Sequence, residues 1–266
     1  MYMEYWQLKE KPFENSLDPR FLYYSPQHEE GLARLIYVVR EGKGAGLLTG
    51  TYGCGKTLLG HALFQELEKD IYRVAFLTNP RLDDVEMLRM IIHLLGGSNV
   101  PTRKADALMM LEEIFVSNSR DGRKTVIVVD EAHAIEENSI FEEIRLLLNY
   151  QLENKFLVTL LLLGQPELKN KVESIKQLNQ RIAMRYHLEG LNAEETANYV
   201  RHRLTIAGAT RELFEKNALS TIYERSGGIP RRINQICDIG LLTGMAQKLE
   251  LITVEIMEEA IESLER

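Results

Sequence analysis

Gly50-Thr51-Tyr52-Gly53-Cys54-Gly55-Lys56-Thr57 is the stretch on which the interpretation of this sequence turns. Its pattern, G-x-x-x-x-G-K-[ST], is that of a loop that cradles phosphate. Each fixed position has a chemical reason. Glycine lets the backbone close around a phosphate where a Cβ would collide. Successive N–H groups then turn inward as an anion nest. Lys56 brings a positive charge to the β- and γ-phosphates, and the Thr57 hydroxyl suits a Mg²⁺ ion. A helix beginning here adds the positive end of its dipole. The flanks agree, since Gly46-Leu47-Leu48-Thr49 reads as the end of a buried strand and Leu58 to Phe64 as an apolar helix. Gly50, Tyr52, Gly53, Cys54, Gly55, Lys56 and Thr57 are therefore expected to bind nucleotide, with Thr57 also at the metal.

The chain has 266 residues, 45% hydrophobic and 27% charged, the balance of a soluble globular protein. Its net charge of −7 argues against a strongly basic nucleic-acid binder and leaves room for a local basic patch. Cys54 lies in the loop and Cys237 in a late helical segment, so a structural disulfide is not expected and a reducing compartment fits. Met1-Tyr2-Met3-Glu4 does not open a signal peptide. The longest apolar run, Phe156 to Leu163, is far too short to span a bilayer as a helix. The expectation is a cytoplasmic protein.

The first 25 residues are rich in aromatics and punctuated by Pro12 and Pro19. They read as an arm whose aromatics pack on the core; a wall for an adenine ring is the alternative. A helix is expected from Ser25 or Gln27 to about Arg40, with Leu32, Leu35, Ile36 and Val39 on one face. Strands are expected at Tyr72–Leu77, at Thr125–Val129 and along the 156–163 run. Helices alternate with them, one capped by Asp83 or Asp84. Strands alternating with helices predict a parallel sheet. After about Leu191 the pattern is helical throughout, opening with a capping box at Asn192 and Glu195. The expected organisation is an α/β nucleotide-binding domain with its arm over 1–191 and a small helical lid over 192–266.

Four apolar strand residues followed by Asp130-Glu131 have the form of a Walker B motif. Asp130 would hold hydrated Mg²⁺, and Glu131 would orient and polarise the attacking water. Asp130-Glu131-Ala132-His133 also spells a helicase signature, but those helicases use two sheet domains, and no second sheet domain follows. Gln165 ends the fourth strand, where a polar side chain can sense the γ-phosphate or simply turn the chain before Pro166. Arg181, Arg185, Arg231 and Arg232 stand out by position, although an isolated arginine is usually a solvated surface residue. The six histidines lack ligand spacing, so no zinc site is inferred.

The ordered set resembles the AAA+ ATPases, and more narrowly the ATPase domains of the type II secretion A proteins. The resemblance runs through Tyr5-Trp6-Gln7-Leu8, Pro12-Phe13, Asp18 to Phe21, Ser25-Pro26-Gln27-His28, the phosphate loop, Val129 to His133, Leu163 to Leu168, Gln180-Arg181-Ile182 and Gly228 to Asn234. It implies an arginine finger at Arg181, acting on the nucleotide of a neighbouring subunit. It implies sensor 2 at Arg231, reaching from the lid to the γ-phosphate, and sensor 1 at Gln165, where Asn or Thr is more usual. Related transposition ATPases share the plan and act on DNA. The secretion proteins continue into a membrane helix and a peptidoglycan-binding region, whereas this sequence ends just after the lid, as an excised domain or a stand-alone relative would. The expected function is Mg²⁺-dependent ATP hydrolysis by a homo-oligomer that assembles or remodels a partner. That partner is a protein of an envelope machine or, alternatively, duplex DNA.

Overall fold

A computed structural model describes residues 2–265. In chain order its elements are α1 (Tyr2–Trp6), α2 (Pro26–Arg40), β1 (Ala45–Gly50), α3 (Lys56–Glu66), β2 (Tyr72–Leu77), α4 (Asp84–Leu94), α5 (Lys104–Arg120), β3 (Lys124–Val129) and α6 (Asn138–Leu147). There follow β4 (Gln151–Leu152), β5 (Lys155–Phe156), β6 (Val158–Gly164), α7 (Glu167–Ser174), α8 (Lys176–Arg181) and β7 (Ile182–Leu188). The chain ends in α9 (Ala193–Ile206), α10 (Lys216–Ser226), α11 (Pro230–Ala246) and α12 (Val254–Glu265).

Five strands form one sheet in the order β2-β3-β6-β1-β7, and every neighbouring pair is parallel. Helices flank the sheet. β1 and β6 are buried along their whole length and β3 beyond its first residue, which is why each reads as an uninterrupted apolar run. Because the strands are parallel, β1, β3 and β6 end on the same edge. There the chain passes into the phosphate loop, into Asp130 and into Gln165 respectively.

Two strand assignments differ from the sequence expectation. The 156–163 run is split. Lys155–Phe156 pairs antiparallel with Gln151–Leu152, through a turn in which Glu153 and Asn154 both have positive φ, the backbone of a tight hairpin. Only Val158–Gly164 enters the sheet. The fifth strand, β7, was not expected. It is an edge strand with Ile182 and Leu188 buried and Arg185 and His187 among its more exposed positions, so it carries no apolar run.

Packing divides the chain into two compact units, one of Glu29–Gly50 with Leu59–Leu188, the other of the residues up to His28, Thr51–Leu58 and those from Glu189 on. The first is built on the sheet, with Phe115, Phe141, Met87, Ile91 and Ile127 at its centre. In the second, Tyr2, Trp6, Leu8 and Phe13 are buried among side chains of α9–α12. Trp6 Nε1 donates to the Leu241 carbonyl at 2.9 Å. The buried Arg203 guanidinium donates to the carbonyls of Pro12 and Glu14. The arm that the 1–191 boundary assigns to the α/β domain thus belongs by packing with the C-terminal helices, whose apolar faces its aromatics cover. Capping boxes start α4 at Asp83 and Glu86 and α9 at Asn192 and Glu195. Among the described residues, no helix is long and apolar enough to cross a membrane.

Candidate nucleotide site and catalytic cluster

The phosphate loop takes the backbone that its glycines permit. Gly53 and Gly55 have φ of +83° and +100°. A Cβ on Gly53 would lie 2.8 Å from Cβ of Arg231, and one on Gly55 would lie 3.3 Å from the His28 ring. Lys56, the first residue of α3, is buried, and its Nζ donates to the Thr51 carbonyl at 3.0 Å. Thr57 follows in the same first turn, and Gly50 is the last residue of β1.

His28 braces this loop. Its Nε2 lies 3.0 Å from the Cys54 carbonyl oxygen, which can only accept, so Nε2 carries the proton. Nδ1 then accepts from the Ser25 hydroxyl at 2.7 Å. Burial holds the His28 pKa below its ordinary value, keeping the ring neutral. Phe21, Tyr23, His28, Leu58, Tyr199 and Pro230 line a small recess beside Cys54 and Gly55.

Arg231 enters from the first turn of α11. Its backbone N–H donates to the Gly53 carbonyl at 3.2 Å. Its guanidinium lies 4.6 Å from the centroid of the Tyr52 ring and donates to the Tyr52 hydroxyl. Fold and packing thus bring Arg231 of α11 onto the phosphate loop.

A second cluster forms at the ends of β3 and β6. Asp130 is buried, its N–H donates to the Leu77 carbonyl at 2.8 Å, and its Oδ1 accepts from the Glu131 N–H at 2.9 Å. Glu131 adopts left-handed backbone, φ 52° and ψ 30°, which disfavours a residue with a Cβ and is typical of functional turns. Its Oε2 lies 3.3 Å from Nδ1 of His133. Nε2 of the same ring lies 2.9 Å from the side-chain nitrogen of Gln165. Lys171, on α7, donates to the carbonyls of His133 and Ile135, both at 2.6 Å. The Asp130-Glu131 motif and Gln165, read separately in the sequence, are therefore neighbours. The histidine that joins them was visible in the sequence only as the last letter of Asp130-Glu131-Ala132-His133.

Arg181 stands elsewhere. In register, Ile182 lies level with Ala45, Leu160 and Ile127. Arg181 is thus about five residues short of Glu131 along the strands, roughly 16 Å, and three strands across, roughly 14 Å. Its guanidinium packs over Phe156 at 5.6 Å and donates to Asn149 Oδ1 at 3.3 Å. Arg185 turns back onto α8, donating to the carbonyl and the side-chain oxygen of Asn179 at 2.9 and 2.6 Å.

Residues 39–172 match the AAA domain family. Over 253 residues the chain is 37% identical to General secretion pathway protein A of Aeromonas hydrophila. That alignment covers 93% of this chain and 45% of the relative, so the chain spans less than half the relative's length. Similar solved structures include Cdc6p from Pyrobaculum aerophilum, with TM-score 0.76 and 16% identity over 95% of this chain and 70% of that one. Drosophila ORC bound to DNA gives 0.75 and 15% over 100% and 66%. The Aeropyrum pernix ORC2 protein in ADPNP–ADP complexes gives 0.71 and 16% over 96% and 71%. At these identities the likeness to solved structures speaks for the fold.

Proposed function

The chain belongs to the AAA domain family and is a P-loop ATPase, and from that premise we propose that it hydrolyses ATP with Mg²⁺ in a homo-oligomer, coupling nucleotide state to the assembly or remodelling of a partner. The residues fit such a ligand. The loop takes at Gly53 and Gly55 the positive φ that glycine permits, and Lys56 and the loop's N–H groups supply donors for phosphate. Thr57 and Asp130 are the oxygen donors suited to the metal. Held by these residues, a Mg²⁺ ion would supply neutralisation of the charge on the β- and γ-phosphates. Glu131 orients and polarises the attacking water, Gln165 senses the γ-phosphate, and Arg231 carries that state to the lid.

The observation that carries the oligomeric part is the separation of Arg181 from Glu131 within one chain. A guanidinium that far from the hydrolytic carboxylate serves a neighbour's nucleotide, where it stabilises charge on the transferring phosphoryl group. Specific activity should then rise with protein concentration. Arg181→Ala should bind ATP nearly normally and lose about 10³-fold in rate, as arginine fingers do. Mixed with Glu131→Gln, itself inactive, it should recover activity, because some interfaces pair an intact Glu131 with an intact Arg181. A mixture that co-assembles yet stays inactive rules Arg181 out as the finger.

For the partner, the relative's name supports work in a secretion machinery. Duplex DNA is the alternative. Binding to DNA that requires ATP and falls steeply with salt would move the conclusion there.

A further inference from the structure

We propose that His133 is a positioning residue that links Gln165 to Glu131, so that the hydrolytic readiness of Glu131 follows the state of the Gln165 side chain; the inference rests on the roles proposed above for those two residues. A neutral imidazole has one N–H. A carboxylate only accepts, so a hydrogen bond across the 3.3 Å between Nδ1 and Glu131 Oε2 requires the proton on Nδ1. Nε2 is then an acceptor, and it takes an N–H from the Gln165 amide at 2.9 Å.

The same atoms hold a second arrangement, in which the backbone N–H of Gln165 donates to an unprotonated Nδ1 at 3.3 Å. When the Gln165 amide presents its oxygen to the ring, or leaves it, the proton moves to Nε2. Nδ1 then accepts from the Gln165 backbone N–H, and Glu131 loses its donor. Which arrangement holds depends on how the Gln165 amide faces, and that is the group placed to meet the γ-phosphate. One ring thereby converts the orientation of Gln165 into the presence or absence of a hydrogen bond on Glu131.

The surroundings fix the ring in place for this task. A Cβ on Gly164 would stand 3.1 Å from the His133 nitrogen and 3.3 Å from Nδ1, so a residue without a side chain lets the end of β6 approach the ring. Lys171 pins the carbonyls of His133 and Ile135. The left-handed backbone of Glu131 aims its side chain back toward the ring, while that side chain stays 39% exposed.

The test combines kinetics with a readout that needs no turnover. His133→Ala should leave ATP affinity within about twofold and lower kcat by about tenfold or more, the usual cost of removing an orienting partner. Gln165→Ala should do the same, and the double variant should be no slower than the slower single one. His133→Asn keeps a donor near the place of Nδ1 and none toward Gln165; it should regain part of kcat and become insensitive to Gln165→Ala. In ¹⁵N spectra of the ring, the wild-type protein should carry its proton on Nδ1, and Gln165→Ala should shift it toward Nε2. Losses that multiply in the double variant, or ring nitrogens unmoved by Gln165→Ala, overturn the link. If Glu131→Gln hydrolyses ATP as fast as wild type, the proposed role of Glu131 fails; an inactive Glu131→Gln beside a fully active His133→Ala sinks the link alone.

Discussion

The guanidinium of Arg231 rests on the Tyr52 ring, 4.6 Å from its centroid, with its Nη1 donating to the phenol oxygen. A residue of the phosphate loop thus holds the cation proposed to read the γ-phosphate. A guanidinium is suited to bidentate phosphate contact, so ATP and Tyr52 compete for it. Arg231→Ala should abolish any difference in hydrogen exchange of α11 between the ATP and ADP states. Tyr52→Ala should enlarge that difference in favour of ATP. Equal exchange of α11 with ATP and ADP in the wild-type protein would count against the lid role.

Lys56 is buried and donates to the Thr51 carbonyl across the loop. Lys56→Ala removes the charge facing the terminal phosphates. Calorimetry should show ATP binding weakened by about 10- to 100-fold, the equivalent of roughly 1.5–3 kcal/mol for a hydrogen bond to a charged group. Unchanged affinity would remove Lys56 from the phosphate site.

The two glycines before Ile229 should respond very differently to alanine. Gly227 caps α10 at φ +60° with open space where a Cβ would go, so Gly227→Ala should cost about 1 kcal/mol from backbone strain alone. Gly228 has φ +71°, and its Cβ would lie 1.8 Å from the Leu191 carbonyl oxygen. The collision is with backbone, so Gly228→Ala should cost about 3 kcal/mol or more. Urea denaturation of the two variants tests the contrast, and equal losses would refute it.

Burial holds the His28 pKa below the ordinary 6.5. The unfolded chain therefore takes up a proton at a higher pH than the folded one. The stability contributed by the neutral ring is complete above about pH 6.5 and is lost as pH falls through the lower folded value. His28→Gln keeps a donor for the Cys54 carbonyl and does not titrate. Urea denaturation between pH 7 and 5 should show a shallower decline for this variant than for wild type; parallel declines would discount His28. His202, also lowered by burial, contributes to the residual slope.

Much of the chemistry was legible in the sequence because it resides in contiguous residues. The phosphate loop, the apolar strand ending in Asp130-Glu131, the cap at Asp83 or Asp84 and the capping box at Asn192 each need only a few adjacent side chains to declare themselves. The buried central strands announced themselves by unbroken apolar runs, since both faces are covered. Tertiary structure alone decided the rest. An edge strand with one exposed face has too little apolar content to mark β7. The hairpin at 151–156 took Phe156 from a run that looked continuous. The arm's aromatics could have covered either unit, and the faces left open by α9–α12 determined which. The joining of Gln165 to His133 across 32 positions, and of Arg231 to Tyr52 across 179, follows from which strands lie side by side and where the last helices fold back. The same strand order carries Arg181 away from Glu131. Local periodicity records which face of an element is buried; it does not record which element lies opposite, and these contacts depend on that second choice.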